Sequence, residues 1–157
     1  MMDRRSFLQT IAAGALTAAE ARTASARPNV LFVLMDDLGW HDLGPYGNDC
    51  IDTPNLNRFA AENVRFTQAY AACPVCSPTR ASIMTGKCPA RLHLTDWIPG
   101  RKQWPAAKLL TPAFHQYLPE RDKTIAEMMT PAGYRTAAIG KWHLGGDGHF
   151  PQIADSS

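Results

Sequence analysis

Cys76-Ser77-Pro78-Thr79-Arg80 sets a thiol, a proline and an arginine in an order suited to a charged site at a helix end. Proline is tolerated in a first helical turn, where its missing N–H costs nothing, so Cys76 falls at or just before a helix amino terminus. Exposed amides and the helix dipole stabilise negative charge there. Arg80, one turn along, can direct its guanidinium at the same spot. An anionic oxygen at position 76 would find the surroundings that activate a hydroxyl and receive a sulfate or phosphate group. An unmodified thiolate there would be reactive for the same reasons, and a buried structural cysteine is the competing reading. Upstream, Asp36 and Asp37 are adjacent carboxylates that repel each other unless a cation sits between them. Hard oxygen ligands favour calcium or magnesium over zinc, although a solvated Asp-Asp turn is the alternative. Downstream, Lys141-Trp142-His143 on an extended segment would turn Lys141 and His143 into one pocket, with Trp142 packing on the other side. Lysine suits a bound oxyanion and histidine moves protons near neutral pH; a solvated lysine beside a core histidine is the rival.

These residues need elements to position them. Residues 29–35 form a continuous apolar run that predicts a strand buried on both faces, with Asp36 and Asp37 just past its carboxyl end, where open α/β sheets place ligands. Thr53-Pro54 predicts a helix start, with Leu56, Phe59 and Ala60 on one face through about Glu62. Residues 64–70 alternate as a second strand. A helix from about Pro78 ends before Gly86, and residues 87–119, with five prolines, read as a long, partly ordered surface excursion. Residues 124–130 predict a short helix burying Ile125, Met128 and Met129, closed by Pro131 and Gly133. Residues 135–140 predict a third strand that delivers Lys141 and His143. Strands alternating with helices make the class α/β.

A chain of 157 residues with 45% hydrophobic content can bury one core. Its net charge of +2 and lack of a basic run argue against a nucleic-acid partner. Residues 1–26 read as an export leader: Arg4-Arg5 precede a mild apolar stretch, Ile11 to Ala19, and then Ala24-Ser25-Ala26. The paired arginines before Phe7-Leu8 resemble the twin-arginine variety, so the twin-arginine export machinery is an expected partner and the periplasm or exterior the expected location. The apolar stretch is too short for a stable membrane anchor. Export permits disulfides among Cys50, Cys73, Cys76 and Cys88, and Cys73-Pro74-Val75-Cys76 could be a bridge or redox pair. Zinc would want a second close ligand pair, which Cys50 and Cys88 do not form. His41 and Asp42 suggest only loop hydrogen bonds. Arg91 to Trp97 resembles a segment of carbohydrate-directed sulfatases in which His93 could face a leaving group.

Taken together, Asp36-Asp37, Cys76-x-Pro78-x-Arg80 with Ala81 to Gly86, and Gly140-Lys141-Trp142-His143 resemble the type I, formylglycine-dependent sulfatases, from about Arg27 to about Phe150. The resemblance implies an alkaline-phosphatase-like mixed sheet flanked by helices, residues 27–157 being the incomplete amino-terminal part of the catalytic domain. It implies that a formylglycine-generating maturation enzyme reads Cys76, Pro78 and Arg80 and converts Cys76 to the aldehyde. In the family one hydroxyl of the hydrated aldehyde attacks sulfur and the other then expels sulfate. Asp36, Asp37 and the modified Cys76 would hold a divalent cation, most often Ca2+, with Mg2+ possible. Arg80, Lys141 and His143 would be catalytic, and the substrate a sulfated carbohydrate or aryl sulfate. The family's later metal ligands, second histidine and second lysine have no counterpart here, and Ile153 to Ser157 depart from the family's Gly-Phe-Asp segment. The expectation is a truncated product of low activity. Two rivals remain: a non-catalytic, degenerate fragment of the same fold, and a phosphate- or phosphonate-ester hydrolase of the superfamily, against which a cysteine at position 76 argues.

Overall fold

The computed structural model describes residues 27–146 and 148–149. The expected leader, residues 1–26, and the divergent end at 153–157 lie outside the described residues. The chain divides into two compact units, Met1–Met35 and Asp36–Ser157. In the first, residues 29–35 do not form the expected strand: no ladder pairs them, and Val30 to Met35 are exposed, Leu31 at 88%. A parallel strand exists only through the N–H and C=O groups of its neighbours, and apolar side chains alone cannot create it.

In the second unit, residues 64–70 and 135–140 likewise carry no strand, and Ile139 is 99% exposed. No strand occurs among the described residues, so the helices and their connections alone position the site. Two single 3-10 turns, Trp40–Asp42 and Gly44–Tyr46, follow the acidic pair. Helix α1 spans Pro54–Glu62 behind Thr53, as the Thr-Pro pair predicts. The Thr53 hydroxyl does not cap the helix amides, however. It accepts from the Gly44 N–H at 3.0 Å and donates to Asn57 Oδ1 at 3.0 Å, tying the second 3-10 turn to α1. Leu56 and Phe59 are exposed rather than buried, and Ala60 is half-buried.

Helix α2, Cys76–Thr85, matches the expectation closely. Val75 precedes it in extended conformation, and Pro78 is its third residue, where no intrahelical N–H is needed. Gly86 adopts φ 69°, a left-handed conformation that glycine takes without strain, and its N–H closes on Ser82 O at 2.8 Å. Helix α3, Pro89–Leu92, follows at once. Helix α4, Ile125–Met129, carries a full capping box: Thr124 accepts from the Glu127 N–H, and Glu127 receives the Thr124 N–H at 2.8 Å. These hydrogen bonds hold the Glu127 carboxyl below its usual range, with Lys123 adding to the effect.

The buried apolar cluster comprises Ala81 of α2, Leu92 of α3, and Leu94, Leu118 and Leu144, with Met84, Ile98 and Trp142 packed against it. Each fully buried leucine contributes roughly 1.5–3 kcal/mol. Leu92, Leu94 and Leu118 come from 87–119, so the two ends of that segment enter the core, while residues 101–113 between them are exposed, as an excursion would be. Leu92 and Leu94 point inward and leave His93 exposed between them, at φ 50°. Leu118 N–H donates to Leu144 O at 2.9 Å, joining this segment to the one that carries Lys141 and His143. No helix among the described residues is long and apolar enough to cross a membrane.

Ile125 and Met128 are exposed, against expectation, so α4 depends on its cap more than on packing. Replacing Thr124 by Ala removes that cap and costs about 1 kcal/mol. Hydrogen exchange at the Glu127 and Met128 amides then accelerates while the Ser82–Gly86 closure of α2 is unchanged.

Candidate active site

Helix α2 begins at Cys76, so the half-buried thiol lies at a helix amino terminus as the proline position requires. All four cysteines are free thiols, and neither a Cys73–Cys76 bridge nor any other disulfide forms. Thr79, also on α2, donates its hydroxyl to Cys73 O at 2.7 Å and holds the approach to the helix in place. Arg80 follows one turn after Cys76, with its side chain only 12% exposed.

Arg80 joins the three sequence regions. Its Nη1 donates to Lys141 O at 2.5 Å, and its Nη2 lies 3.5 Å from Asp36 Oδ1. The Lys141 ammonium pairs with the other oxygen, Asp36 Oδ2. One carboxylate thus faces two cations from positions 44 and 105 residues away along the chain. The Lys141 hydrogen bond holds the Asp36 carboxyl below its usual range, reinforced by the charges of Lys141 and Arg80 and opposed by partial burial. Asp37, at φ 57°, turns the chain away, and its exposed carboxylate engages no partner among the described residues.

His143 also lies at positive φ, 55°, so the segment does not alternate as a strand there. Its Nε2 lies 2.6 Å from Ile98 O. Trp142 packs against the apolar cluster as expected, and its indole N–H donates to His149 O at 2.9 Å. His41 and Asp42 make loop hydrogen bonds only: His41 Nδ1 donates to Tyr46 O at 2.9 Å, and Asp42 Oδ2 accepts from the Gly39 N–H at 2.6 Å. His93 stands edge-on to His115, with ring centroids 6.0 Å apart.

Among the described residues, two buried nitrogens of this region have no hydrogen-bond partner: Arg80 Nε, a donor, and His143 Nδ1. Leaving such a group unpaired costs about 1–3 kcal/mol. An oxygen-bearing group at position 76 is chemically suited to both, since a hydroxyl can accept from one nitrogen and donate to the other. For a divalent cation the donor set fits in part. Asp36 and Asp37 offer hard oxygens, but no group of three His, Cys, Asp or Glu side chains converges among the described residues. The Asp36 charge is meanwhile neutralised from within by Lys141 and Arg80. Sequence reasoning misses Ile98 and Ser77; the only available signal is that Ser77 lies inside the Cys-x-Pro-x-Arg motif.

Replacing Asp36 by Asn leaves Arg80 and Lys141 without their counter-charge and destabilises the chain by about 1 kcal/mol at neutral pH, a modest value because the pair is partly solvated. A depressed carboxyl stabilises the fold fully above its unfolded pKa of about 3.9 and loses that contribution as pH falls through the lower folded value. Urea midpoints of parent and variant therefore differ at pH 7 and converge as the pH drops below about 3.9.

The sulfatase family profile matches residues 28–152. Human steryl-sulfatase is 43% identical over 122 residues, which cover 78% of this chain and 20% of that protein. Human N-acetylgalactosamine-6-sulfatase is 40% identical over 134 residues, 85% of this chain and 24% of the relative. Bovine arylsulfatase A is 40% identical over 130 residues, 83% and 24% respectively. The chain thus spans between a fifth and a quarter of the length of these curated relatives. A match over most of the chain, through the cysteine motif and the Lys141–His143 segment alike, makes it a member of the sulfatase family.

Proposed function

We propose that this chain carries part of the active centre of an exported, metal-dependent sulfatase that hydrolyses sulfate esters of carbohydrates or aryl alcohols. The observation that carries the reading is Arg80 reaching from one turn behind Cys76 to both Asp36 and the Lys141 backbone. Family membership and the names of the relatives support the same class of chemistry. Cys76 is the formylglycine precursor, to be oxidised by a formylglycine-generating enzyme. Residues 1–26 direct the chain to the twin-arginine export machinery.

Within this reading, the α2 amino terminus and Arg80 hold negative charge at position 76. Lys141 contacts the formylglycine side chain once its ammonium leaves Asp36. His143 takes the proton whose removal lets sulfate depart. Asp36 and Asp37 would hold the cation, Ca2+ before Mg2+, and the oxygen at position 76 would complete its ligands on this side. When bound, the cation would supply charge stabilisation and lower the pKa of a coordinated hydroxyl. Cation binding and the Lys141–Asp36 pair compete for one carboxylate, so the two cannot be complete at once.

A second reading, a non-catalytic fragment of the same fold, is favoured by the donor count. Two adjacent carboxylates, one of them already ion-paired, bind a hard cation weakly. The chain alone is therefore expected to give no measurable turnover of an aryl sulfate, and clear turnover would refute this second reading.

The sulfatase assignment is tested at position 76 itself. After co-expression with a formylglycine-generating enzyme, mass spectrometry of the peptide containing Cys76 should show aldehyde in place of thiol. Thiol alone, in repeated preparations, overturns the assignment. For a gene product extended to the relatives' length, rates on matched esters should favour sulfate over phosphate; the reverse order would move the protein to the phosphate-ester hydrolases.

A further inference from the structure

We infer that Ser77 is a positioning residue that fixes the tautomer of His143 through the backbone of Ile98. Ser77 is fully buried as the second residue of α2, adjacent to Cys76. Its hydroxyl oxygen accepts the Ile98 N–H at 3.1 Å. The carbonyl of the same residue lies 2.6 Å from His143 Nε2. A peptide carbonyl only accepts, so this contact requires the ring proton on Nε2. In the neutral ring the lone pair then belongs to Nδ1.

Among the described residues, that nitrogen is buried and without a hydrogen-bond partner. A ring oriented only for packing would be expected to leave its free nitrogen toward water or a donor. Here the satisfied nitrogen is held by backbone, while the free one is a buried acceptor suited to an O–H group. Ile98 packs against the apolar cluster, and Ser77 anchors its N–H, so the carbonyl that holds His143 is fixed from both sides. The start of the cysteine helix and the base are thereby connected by three residues: Ser77, Ile98 and His143. Resting on the sulfatase reading, the role follows: Nδ1 receives the proton of the hydroxyl at position 76, and Nε2–H stays on Ile98 O as the ring becomes imidazolium.

The test is read by NMR and needs no turnover, so it stands or falls separately from the identity of the residue at position 76. In the 15N-histidine-labelled full chain above neutral pH, His143 should show a protonated Nε2 and an unprotonated Nδ1. A proton on Nδ1 in the parent chain overturns the inference, even if no variant folds. In Ser77→Ala, exchange of the Ile98 amide should accelerate about fivefold, the equivalent of one ordinary hydrogen bond. The His143 signals should shift toward a tautomer mixture, and Ser77→Cys, which keeps a weak acceptor, should fall between. Unchanged Ile98 exchange in Ser77→Ala, or faster exchange with the tautomer unmoved, would show that Ser77 does not position the base.

Discussion

Everything in the candidate site depends on one negative charge meeting two cations. Asp36 carries that charge, and Arg80 and Lys141 reach it from separate stretches of chain. The energy of such a partly solvated cluster is modest. Its geometric effect is larger, because Arg80 is nearly buried and spends its donors on fixed acceptors. Held at Lys141 O and Asp36, the guanidinium cannot rotate away from the helix on which Cys76 begins. The ion cluster therefore does for this unit what a sheet would do if strands were paired: it aligns segments distant in sequence.

Local backbone geometry completes the alignment. Asp37 and His143 both take left-handed conformations without being glycine. Such positions cost energy and persist only when surrounding contacts impose them. For His143 the imposing contacts are identifiable: the Ile98 carbonyl on the ring and Trp142 packed against the leucine cluster beside it. Leu118 to Leu144 pairing secures the far side of the same segment. The apolar cluster is small, yet it includes Ala81, next to Arg80 in sequence, and Leu144, next to His143, so its few residues stabilise the segments that carry the candidate site.

The legibility of the sequence divides along the same physical line. Helix α2 is readable because its signals are local: Pro78 permits a start, Gly86 forces a stop, and both act within one segment. Thr124 and Glu127 announce α4 in the same way. The runs at 29–35, 64–70 and 135–140 have strand composition, but a strand is completed by its neighbours, and these runs have none among the described residues. Composition can say that a segment suits a sheet; it cannot supply the ladder. The site residues Cys76, Arg80, Asp36 and Lys141 are legible from residue type and spacing, and the structure brings Arg80, Asp36 and Lys141 together. Ile98 is not legible, because a backbone carbonyl gives the same signal from any residue type.

The two partnerless nitrogens connect these levels. Arg80 Nη1 and His143 Nε2 are each satisfied by a backbone carbonyl, of Lys141 and Ile98 respectively. Among the described residues, what remains open is one donor, Arg80 Nε, and, with the ring proton on Nε2, one acceptor, His143 Nδ1. A thiol satisfies such a pair poorly, since sulfur is a weak partner in both directions. A hydroxyl satisfies both. On the proposed sulfatase reading, a hydroxyl generated at position 76 by conversion of Cys76 is a partner of that kind.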